Sequence, residues 1–341
     1  MLKEYLENVR RLVPLVHNIT NYVTVNDVAN VLLACGGSPI MSDEPEDVED
    51  ITSVCGGLNL NIGTLHKSSI EGMLKAGHRA NELGHPVLLD PVGAGASALR
   101  TNTALRLMRE LKLTAVRGNS SEIKTLYLGS GTTKGVDADV ADAVTENNLD
   151  ESIGFVKGFA KETGSVIAVT GAIDLVSDGD RCYVIRNGRP EMGKITGTGC
   201  QLSGIMTAYL TANPEHPLEA AAAAVCVMGL AGETAWSRME KGDGNATYRN
   251  RIIDAIYNMT GEDLEKGANY EVRYKGSFAL CGDGPELASG PDASGAGKGS
   301  AGGWRNLCSA QGKKSGRGAV PCRGKGDSKA LQGLSCAFCH Q

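Results

Sequence analysis

One glycine-rich segment of this sequence leads into a predicted helix of small and apolar residues, a pattern that is typical of anion binding. Residues 194–201 read KITGTGCQ, and the apolar stretch 202–210 follows directly. Glycine lets a backbone approach a ligand closely, and a helix start directs free N–H groups and a positive dipole end toward an anion. The segment therefore predicts a phosphate cradle around Gly197.

Cys200 lies inside the same segment. A thiol at a helix start has its thiolate favoured, so Cys200 can serve as a base toward an alcohol. A lone cysteine is far more often a small buried hydrophobic residue. The glycine-rich loop around it favours the catalytic interpretation.

An acidic residue, Asp90, follows a short apolar run and begins a glycine-rich turn, residues 90–95 (DPVGAG). Such a carboxylate suits Mg²⁺, which prefers oxygen ligands and often bridges protein to phosphate. A turn aspartate that stabilises its own backbone is the alternative, and the segment alone leaves both open. These glycines do not form the G-x-G-x-x-G pattern of dinucleotide sites.

A guanidinium and a carboxylate lie five residues apart in segment 116–123 (VRGNSSEI). Arg117 can bind phosphate oxygens with two parallel hydrogen bonds, and Glu122 can hold a metal directly or through water. The alternative is a helix start with Asn119 as its cap and Glu122 as a partner of the helix dipole. The two interpretations are compatible.

Short apolar runs precede these segments and predict the strands that must position them. The predicted strands are 58–62, 86–89, 114–116 and 166–169, and the predicted helices are 25–33, 68–83, 102–111, 153–162, 201–210 and 217–239. This alternation predicts an α/β fold with a mostly parallel central sheet and helices on both faces. Ligands should then gather beyond the carboxyl ends of the strands, where these segments lie.

Composition excludes several classes of protein. A net charge of −5 gives no electrostatic footprint for nucleic acid, and 4% aromatic residues offer few stacking platforms. The apolar stretch 220–231 is shorter than the roughly 20 residues of a bilayer span, and the acidic start is unlike a signal peptide. We predict a cytoplasmic protein without a nucleic-acid or membrane partner, whose ten cysteines are reduced thiols.

Taken together, these segments resemble the hydroxyethylthiazole kinase family, which has the ribokinase-like fold. The resemblance extends over residues 1 to about 273 and includes segments 14–21 (PLVHNITN), 37–41 (GSPIM), 60–65 (LNIGTL) and 168–171 (AVTG). It implies ATP-dependent phosphorylation of the hydroxyl group of 4-methyl-5-(2-hydroxyethyl)thiazole in thiamine biosynthesis and salvage. ATP would be the co-substrate and Mg²⁺ the cofactor.

The resemblance also implies site roles and an assembly. The implied roles are ATP binding by Arg117 and Thr170, substrate binding by Met41, Gly197 and Asn21, a catalytic base at Cys200, and Mg²⁺ binding by Asp90 and Glu122. The implied assembly is a homotrimer with active sites between subunits. Thr198 departs from the family pattern, which often has Ala there.

The residues alone leave milder interpretations open. Met41 is typical of core packing and Thr170 of a strand-end turn when the resemblance is set aside. A ribokinase-like kinase for another small alcohol, such as a pyrimidine methanol, is the alternative function with the same chemistry. A binding protein without catalytic activity is the alternative from another class.

The sequence changes character after Arg273. Residues 274–341 are rich in Gly, Ser, Ala and Lys and show no sustained hydrophobic period, so we expect a kinase domain at 1–273 and a disordered tail. Read one base later, residues 279–287 can encode LYAVTDRSW and residues 304–313 can encode GETFVQLREK. Both strings resemble the start of thiamine phosphate synthase. We therefore predict a tail derived from a frameshift into a fused or following synthase gene.

Overall fold

A nine-stranded sheet forms the centre of the computed structural model, which describes residues 2–128, 133–134, 137–138 and 142–274. The strands in chain order are β1 (Leu15–Ile19), β2 (Ser38–Met41), β3 (Gly57–Asn61), β4 (Val87–Asp90), β5 (Ala115–Asn119), β6 (Thr133–Lys134), β7 (Asp137–Ala138), β8 (Val166–Thr170), β9 (Asp174–Ser177), β10 (Cys182–Ile185) and β11 (Tyr270–Arg273).

The sheet has one long parallel part and one antiparallel edge. Its order is β11-β10-β9-β8-β5-β4-β3-β1-β2, and strands β6 and β7 form a separate antiparallel pair. The six strands from β2 to β8 in this order run parallel, whereas β8, β9, β10 and β11 pair antiparallel. The carboxyl ends of the six parallel strands therefore lie at one edge of the sheet.

The described helices are α1 (Lys3–Leu12), α2 (Val25–Cys35), α3 (Val48–Val54), α4 (Lys67–Leu83), α5 (Ala98–Glu110), α6 (Ser120–Leu128), α7 (Leu149–Thr163), α8 (Thr198–Ala212), α9 (Pro217–Ser237), α10 (Asn245–Asn258) and α11 (Gly261–Gly267), with 3-10 helices at Glu146–Asn148 and Pro190–Lys194. Helices α2 to α7 lie between successive parallel strands of the chain, α1 precedes the first strand, and α8 to α11 lie between β10 and β11.

Both faces of the sheet are covered, and strand β8 shows why. Val166 and Ala168 pack into one core with helices α1, α2, α8, α9 and α10, while Ile167 and Val169 pack into a second core with α4, α5, α6 and α7. Successive side chains of a strand point to opposite faces, so a strand covered on both sides reads as one continuous apolar run. The predicted α/β fold with a mostly parallel central sheet and helices on both faces is confirmed.

Helix α9 is long and apolar enough to cross a membrane by length and composition alone. In the structure, however, 78% of its most apolar window is buried. Most of its side chains belong to the first core. This environment is typical of a central core helix.

The predicted elements agree with the structure to within a few residues where the apolar period is long. Strands β1 and β2, the β9–β10–β11 edge and helices α1, α3, α10 and α11 were not predicted, and α6 was predicted only as an alternative helix start at Asn119. Polar residues interrupt β1 at His17 and Asn18, which are nevertheless buried. The predicted disorder and frameshift origin of residues 275–341 concern residues outside the described part of the chain.

Candidate active site

The predicted segments meet at the carboxyl edge of the parallel strands. Asn61 at the end of β3 is the register partner of Asp90 at the end of β4, and Asn119 at the end of β5 is the partner of Thr170 at the end of β8. Helix α8 packs against β3 and β4. Its amino-terminal end, with Cys200, lies beside these strand ends, as the contacts below show.

Both glycines at the start of α8 have close neighbours, and Gly197 also has a backbone conformation that favours glycine. Gly197 is the residue before the helix, with a left-handed φ of 82°, and a Cβ there would collide with the side chain of Thr24. A Cβ on Gly199 would lie 2.5 Å from Nη1 of Arg117. The guanidinium of Arg117 therefore packs directly against the first turn of α8, where the free N–H groups and dipole of a helix attract an anion.

Cys200 is buried in the first turn of α8, with 7% of the residue exposed. The amide Nδ2 atoms of Asn21 and Asn61 lie 3.1 and 3.2 Å from its Sγ and donate to it. Burial raises the pKa of the Cys200 thiol, and the charge of Asp90 raises it further. Hydrogen bonding from Thr24 and Asn61 and the charge of Arg117 oppose this rise.

The expectation that Cys200 has a favoured thiolate is therefore wrong, because the net shift of the thiol pKa is upward. The physical reason is that the loss of water around the buried sulfur, together with the charge of Asp90, outweighs the hydrogen bonds and the charge of Arg117. These effects favour the thiol over the thiolate.

Asp90 is fully buried at the end of β4. Its Oδ2 accepts hydrogen bonds from Asn61 Nδ2 and Ser203 Oγ, both at 2.8 Å, and lies 3.6 Å from Nη1 of Arg117. These partners belong to other elements, so the alternative in which Asp90 stabilises its own turn does not describe its hydrogen bonds. Burial raises the pKa of this carboxyl, opposed by Arg117, Ser203 and Asn61.

The other carboxylate oxygen of Asp90, Oδ1, is buried and accepts no hydrogen bond from the described residues. Buried polar atoms are nearly always paired, so an orphaned carboxylate oxygen points to an absent cation or water. A hard divalent cation is a chemically suitable partner for it. Oδ2 of Asp90 is thus held by hydrogen bonds from the protein, whereas Oδ1 can bind a cation.

Glu122 is buried in the first turn of α6 and joins two loops. Its Oε1 accepts from the backbone N–H of Gly93 at 2.7 Å and its Oε2 from that of Asn119 at 2.8 Å, while Asn119 Oδ1 accepts from the N–H of Glu122. The predicted helix cap therefore exists. Burial and the nearby charge of Asp90 raise the pKa of Glu122 to about 7, so two mutually repelling carboxylates face the same region.

Arg117 and Thr170 form a direct pair across strands β5 and β8. Nη2 of Arg117 donates to the Thr170 hydroxyl at 2.7 Å, and Arg117 is 9% exposed. Asp174 at the start of β9 is also buried, and its Oδ1 accepts from the N–H of Gly171 at 2.8 Å. Burial raises the pKa of Asp174 to about 7, opposed by that hydrogen bond and the charge of Arg117.

Asn21 follows β1 and is buried. Its Nδ2 donates to Asn61 Oδ1 as well as to Cys200, and its Oδ1 accepts from the Thr24 hydroxyl at 3.0 Å. Met41 ends the edge strand β2, two strands from β3, and packs partly buried against the first core. Among the described contacts, Met41 is outside the hydrogen-bonded cluster.

Four buried residues of the site were missed by the sequence analysis: Thr24, Asn61, Ser203 and Asp174. Asn61 was a polar residue at the end of a buried strand. Ser203 lies three residues after Cys200, a spacing that places both side chains on one face of a helix. Such spacing was a usable signal, whereas nothing local distinguishes Asp174.

The described residues contain no group of three or more His, Cys, Asp or Glu side chains that could enclose a metal ion. A cation at this site would therefore have few protein ligands. Mg²⁺ is commonly held by one or two carboxylates together with substrate phosphates and water. The pair Asp90 and Glu122 fits this arrangement.

A mostly parallel sheet with helices on both faces, a glycine-rich helix start, an arginine and buried carboxylates are together typical of the ribokinase-like class of phosphotransferases. A ribokinase-like superfamily protein from Enterococcus faecalis shares the fold, with a TM-score of 0.51, 14% identity and coverage of 77% of this chain and 89% of that chain. The model of the "Hydroxyethylthiazole kinase family" matches residues 6–262. The chain belongs to the hydroxyethylthiazole kinase family.

Individual relatives agree with this assignment. Hydroxyethylthiazole kinase of Clostridium acetobutylicum is 61% identical over 271 residues, which cover 80% of this chain and 99% of that protein. The enzyme of the same name from Clostridium beijerinckii is 46% identical, over 76% of this chain and 93% of that protein. The structure of hydroxyethylthiazole kinase from Pyrococcus horikoshii has a TM-score of 0.71 at 33% identity, with coverage of 80% and 98%. The chain is thus a kinase, and ATP is its co-substrate.

Proposed function

We propose that this protein transfers the γ-phosphate of ATP to the hydroxyl group of 4-methyl-5-(2-hydroxyethyl)thiazole, a step of thiamine biosynthesis and salvage. The observation that carries this proposal is the cluster at the start of α8, where a buried thiol, a guanidinium and a buried carboxylate meet beside a glycine-rich helix start. The names of the relatives supply the substrate.

Arg117 and the backbone of residues 197–200 bind the transferring phosphoryl group in this proposal, and Thr170 holds Arg117 in place. The contact between Nη2 of Arg117 and Thr170 leaves the rest of the guanidinium beside Gly199. In phosphoryl transfer, positioning and electrostatic stabilisation of the spreading negative charge supply most of the rate enhancement. Donors that are already fixed before the reaction suit this task.

Asp90 and Glu122 would hold Mg²⁺. The buried Oδ1 of Asp90, without a hydrogen-bond donor among the described residues, supports this role, as do the raised pKa values of both carboxyls. Positive charge from Mg²⁺ held by these residues would offset the repulsion between the two carboxylates and favour their ionised forms. When bound, Mg²⁺ supplies positive charge to the phosphate oxygens.

Cys200 is the proposed base. It takes the proton of the hydroxyethyl oxygen late in the reaction, while the oxygen attacks phosphorus in line, and general-base catalysis contributes about 10²- to 10⁴-fold. Gly197, Asn21 and Met41 would line the side of the alcohol. Only the thiolate can accept this proton, and because burial and the charge of Asp90 raise the pKa of Cys200, the fraction of this base form increases with pH.

We also propose a homotrimer with active sites between subunits, in the cytoplasm. The side chains that follow Asn21 support an interface near the site, because Tyr22 and Val23 are 56% and 70% exposed. Large apolar side chains of this exposure beside a functional cluster are typical of an interaction surface. Light scattering of the purified protein tests the trimer, and a monodisperse monomer with full activity would contradict it.

The test of the function is a kinase assay with purified full-length protein, ATP and Mg²⁺. We expect hydroxyethylthiazole to support ADP release with a higher kcat/KM than a pyrimidine methanol in direct competition. A higher kcat/KM for the pyrimidine methanol would mean that the proposed substrate is wrong, although the proposed phosphoryl transfer would stand. Nucleotide binding without turnover of any alcohol would refute catalysis.

A further inference from the structure

Asn61 is the only described residue whose side chain hydrogen-bonds both to Cys200 and to Asp90. Its Nδ2 lies 2.8 Å from Asp90 Oδ2 and 3.2 Å from Cys200 Sγ. An amide nitrogen carries two hydrogens, so it can donate to both acceptors at once. The residue is 1% exposed and ends strand β3.

The orientation of this amide follows from its other contacts. Asn61 Oδ1 accepts from the backbone N–H of Gly63 at 2.9 Å, and a backbone N–H can only donate. Nδ2 of Asn21 also donates to Asn61 Oδ1, at 3.2 Å. A flipped amide would place NH₂ against the Gly63 N–H, so Nδ2 must face Asp90 and Cys200.

We propose that Asn61 is a positioning residue that holds Cys200 Sγ at a fixed place beside Asp90 Oδ2, so that the proton acceptor is presented to the hydroxyl group. This inference rests on the proposed function. Asn61 makes no hydrogen bond to Arg117 or Thr170 among the described residues, so it contacts the site through Cys200 and Asp90.

The two acceptors of the Asn61 amide, Asp90 Oδ2 and Cys200 Sγ, depend on Asn61 to different extents. Asp90 Oδ2 keeps a donor in Ser203 and a positive neighbour in Arg117 when Asn61 is changed. Cys200 Sγ keeps the hydrogen bond from Thr24 and the amide of Asn21, but Asn21 itself donates to Asn61 Oδ1. The loss of Asn61 should therefore disturb the thiol more than the carboxylate.

A purely structural role for Asn61 is separable from the positioning role. Asn61→Asp keeps an oxygen for the N–H of Gly63 and for Asn21 and removes both amide donors, but it adds a carboxyl group beside Asp90. Asn61→Ala removes the donors without that added carboxyl group, so a loss of Cys200 alkylation in both variants identifies the missing donors as its cause. Asn59→Asp is the matched control, because Asn59 is equally buried two residues earlier on the same strand, and its Nδ2 donates to Asn18 instead.

The experiment measures kcat, KM for ATP and the alkylation rate of Cys200, followed on its own peptide by mass spectrometry at one mildly alkaline pH. For Asn61→Asp we expect kcat and the alkylation rate each to fall by about tenfold or more, the size expected for a lost hydrogen bond to an ionised group. KM for ATP should stay within about twofold of wild type, since uniform binding of nucleotide is untouched.

A double-mutant cycle links the effect to the thiol. In a Cys200→Ala background Asn61→Asp should lose much of its effect on kcat, because residues that act as a unit are not additive. Asn61→Ala provides the same comparison if the Asp variant does not fold. Neither loss should appear in Asn59→Asp.

The proposal is overturned if Cys200 alkylation in the Asn61 variants equals wild type, or if Asn59→Asp produces the same losses. Failure of wild-type protein to phosphorylate hydroxyethylthiazole would refute the proposed function instead. In that case the alkylation rates still decide whether Asn61 holds the thiol, because they do not depend on turnover.

Discussion

Arg117 combines two tasks that a pair of substitutions can separate. Its guanidinium lies 3.6 Å from the fully buried Asp90 and 2.7 Å from Thr170, and it packs on Gly199 at the start of α8. Arg117→Ala removes both the positive charge and the planar donor fork. Arg117→Lys keeps a positive charge near Asp90 but cannot bind a phosphate with two parallel hydrogen bonds.

The expected magnitudes differ for stability and for catalysis. Removal of one partner of a buried ion pair costs about 3 to 5 kcal/mol, and we take about 3 kcal/mol because Asn61 and Ser203 still donate to Asp90. For a domain of this size that corresponds to a fall of roughly 6 to 12 °C in Tm. Loss of one preorganised donor to the transition state lowers turnover by about 10²- to 10³-fold.

We therefore expect Arg117→Ala to lose both stability and activity, and Arg117→Lys to lose mainly activity. Thermal unfolding followed by calorimetry measures the first quantity, and ADP release with a nucleotide Kd from titration measures the second. A wild-type kcat in Arg117→Lys would show that a positive charge alone is sufficient. It would refute the claim that catalysis needs two parallel hydrogen bonds from the guanidinium. An unchanged kcat and Kd in Arg117→Ala would mean that Arg117 only supports the fold.

Three further outcomes follow from the site and the sequence. Cys200→Ala should lower kcat by about 10²- to 10⁴-fold with nucleotide Kd unchanged, since the thiol is assigned to proton transfer; wild-type turnover would exclude it as the base. Asp174 has a pKa raised from 3.8 to about 7 on folding, so its ionisation destabilises the folded state as pH rises between these values. In Asp174→Asn, which keeps an acceptor for Gly171, the free energy of unfolding measured with urea should fall less steeply over that pH interval. The same pH dependence in variant and wild type would contradict the raised pKa of Asp174. A chain ending at Arg273 should match the kcat/KM of the full-length protein, as expected if residues 274–341 lie outside the proposed kinase domain; a large loss would make the tail part of the enzyme.

Local patterns were sufficient where a property depends on neighbours in the chain. The run at 166–169 is apolar at every position, which is typical of a strand covered on both faces, and it forms β8. The start of α8 at Thr198 was predicted within three residues from the glycines before it. Capping by Asn119 and Glu122 also follows from a spacing of three residues.

Local patterns failed where distant residues satisfy a polar group. His17 breaks the apolar pattern of β1, yet its ring nitrogens lie 2.9 Å from the Thr52 hydroxyl and from the Ser42 carbonyl oxygen. Burial lowers its pKa, so it is retained as a neutral, hydrogen-bonded core residue. No hydrophobic period signals a strand of this kind.

The sequence by itself determined the fold class, the family and the segments that carry the chemistry, because periodicity, helix starts and glycine-rich turns are short-range properties. Only the tertiary structure decided the state of Cys200 and its partners. Its contact with Asn61 joins residues 139 positions apart, and the burial that raises the pKa of its thiol comes from packing of whole elements. A helix start by itself favours a thiolate, but the loss of water around the buried sulfur is the largest cause of the shift and raises the pKa of the Cys200 thiol.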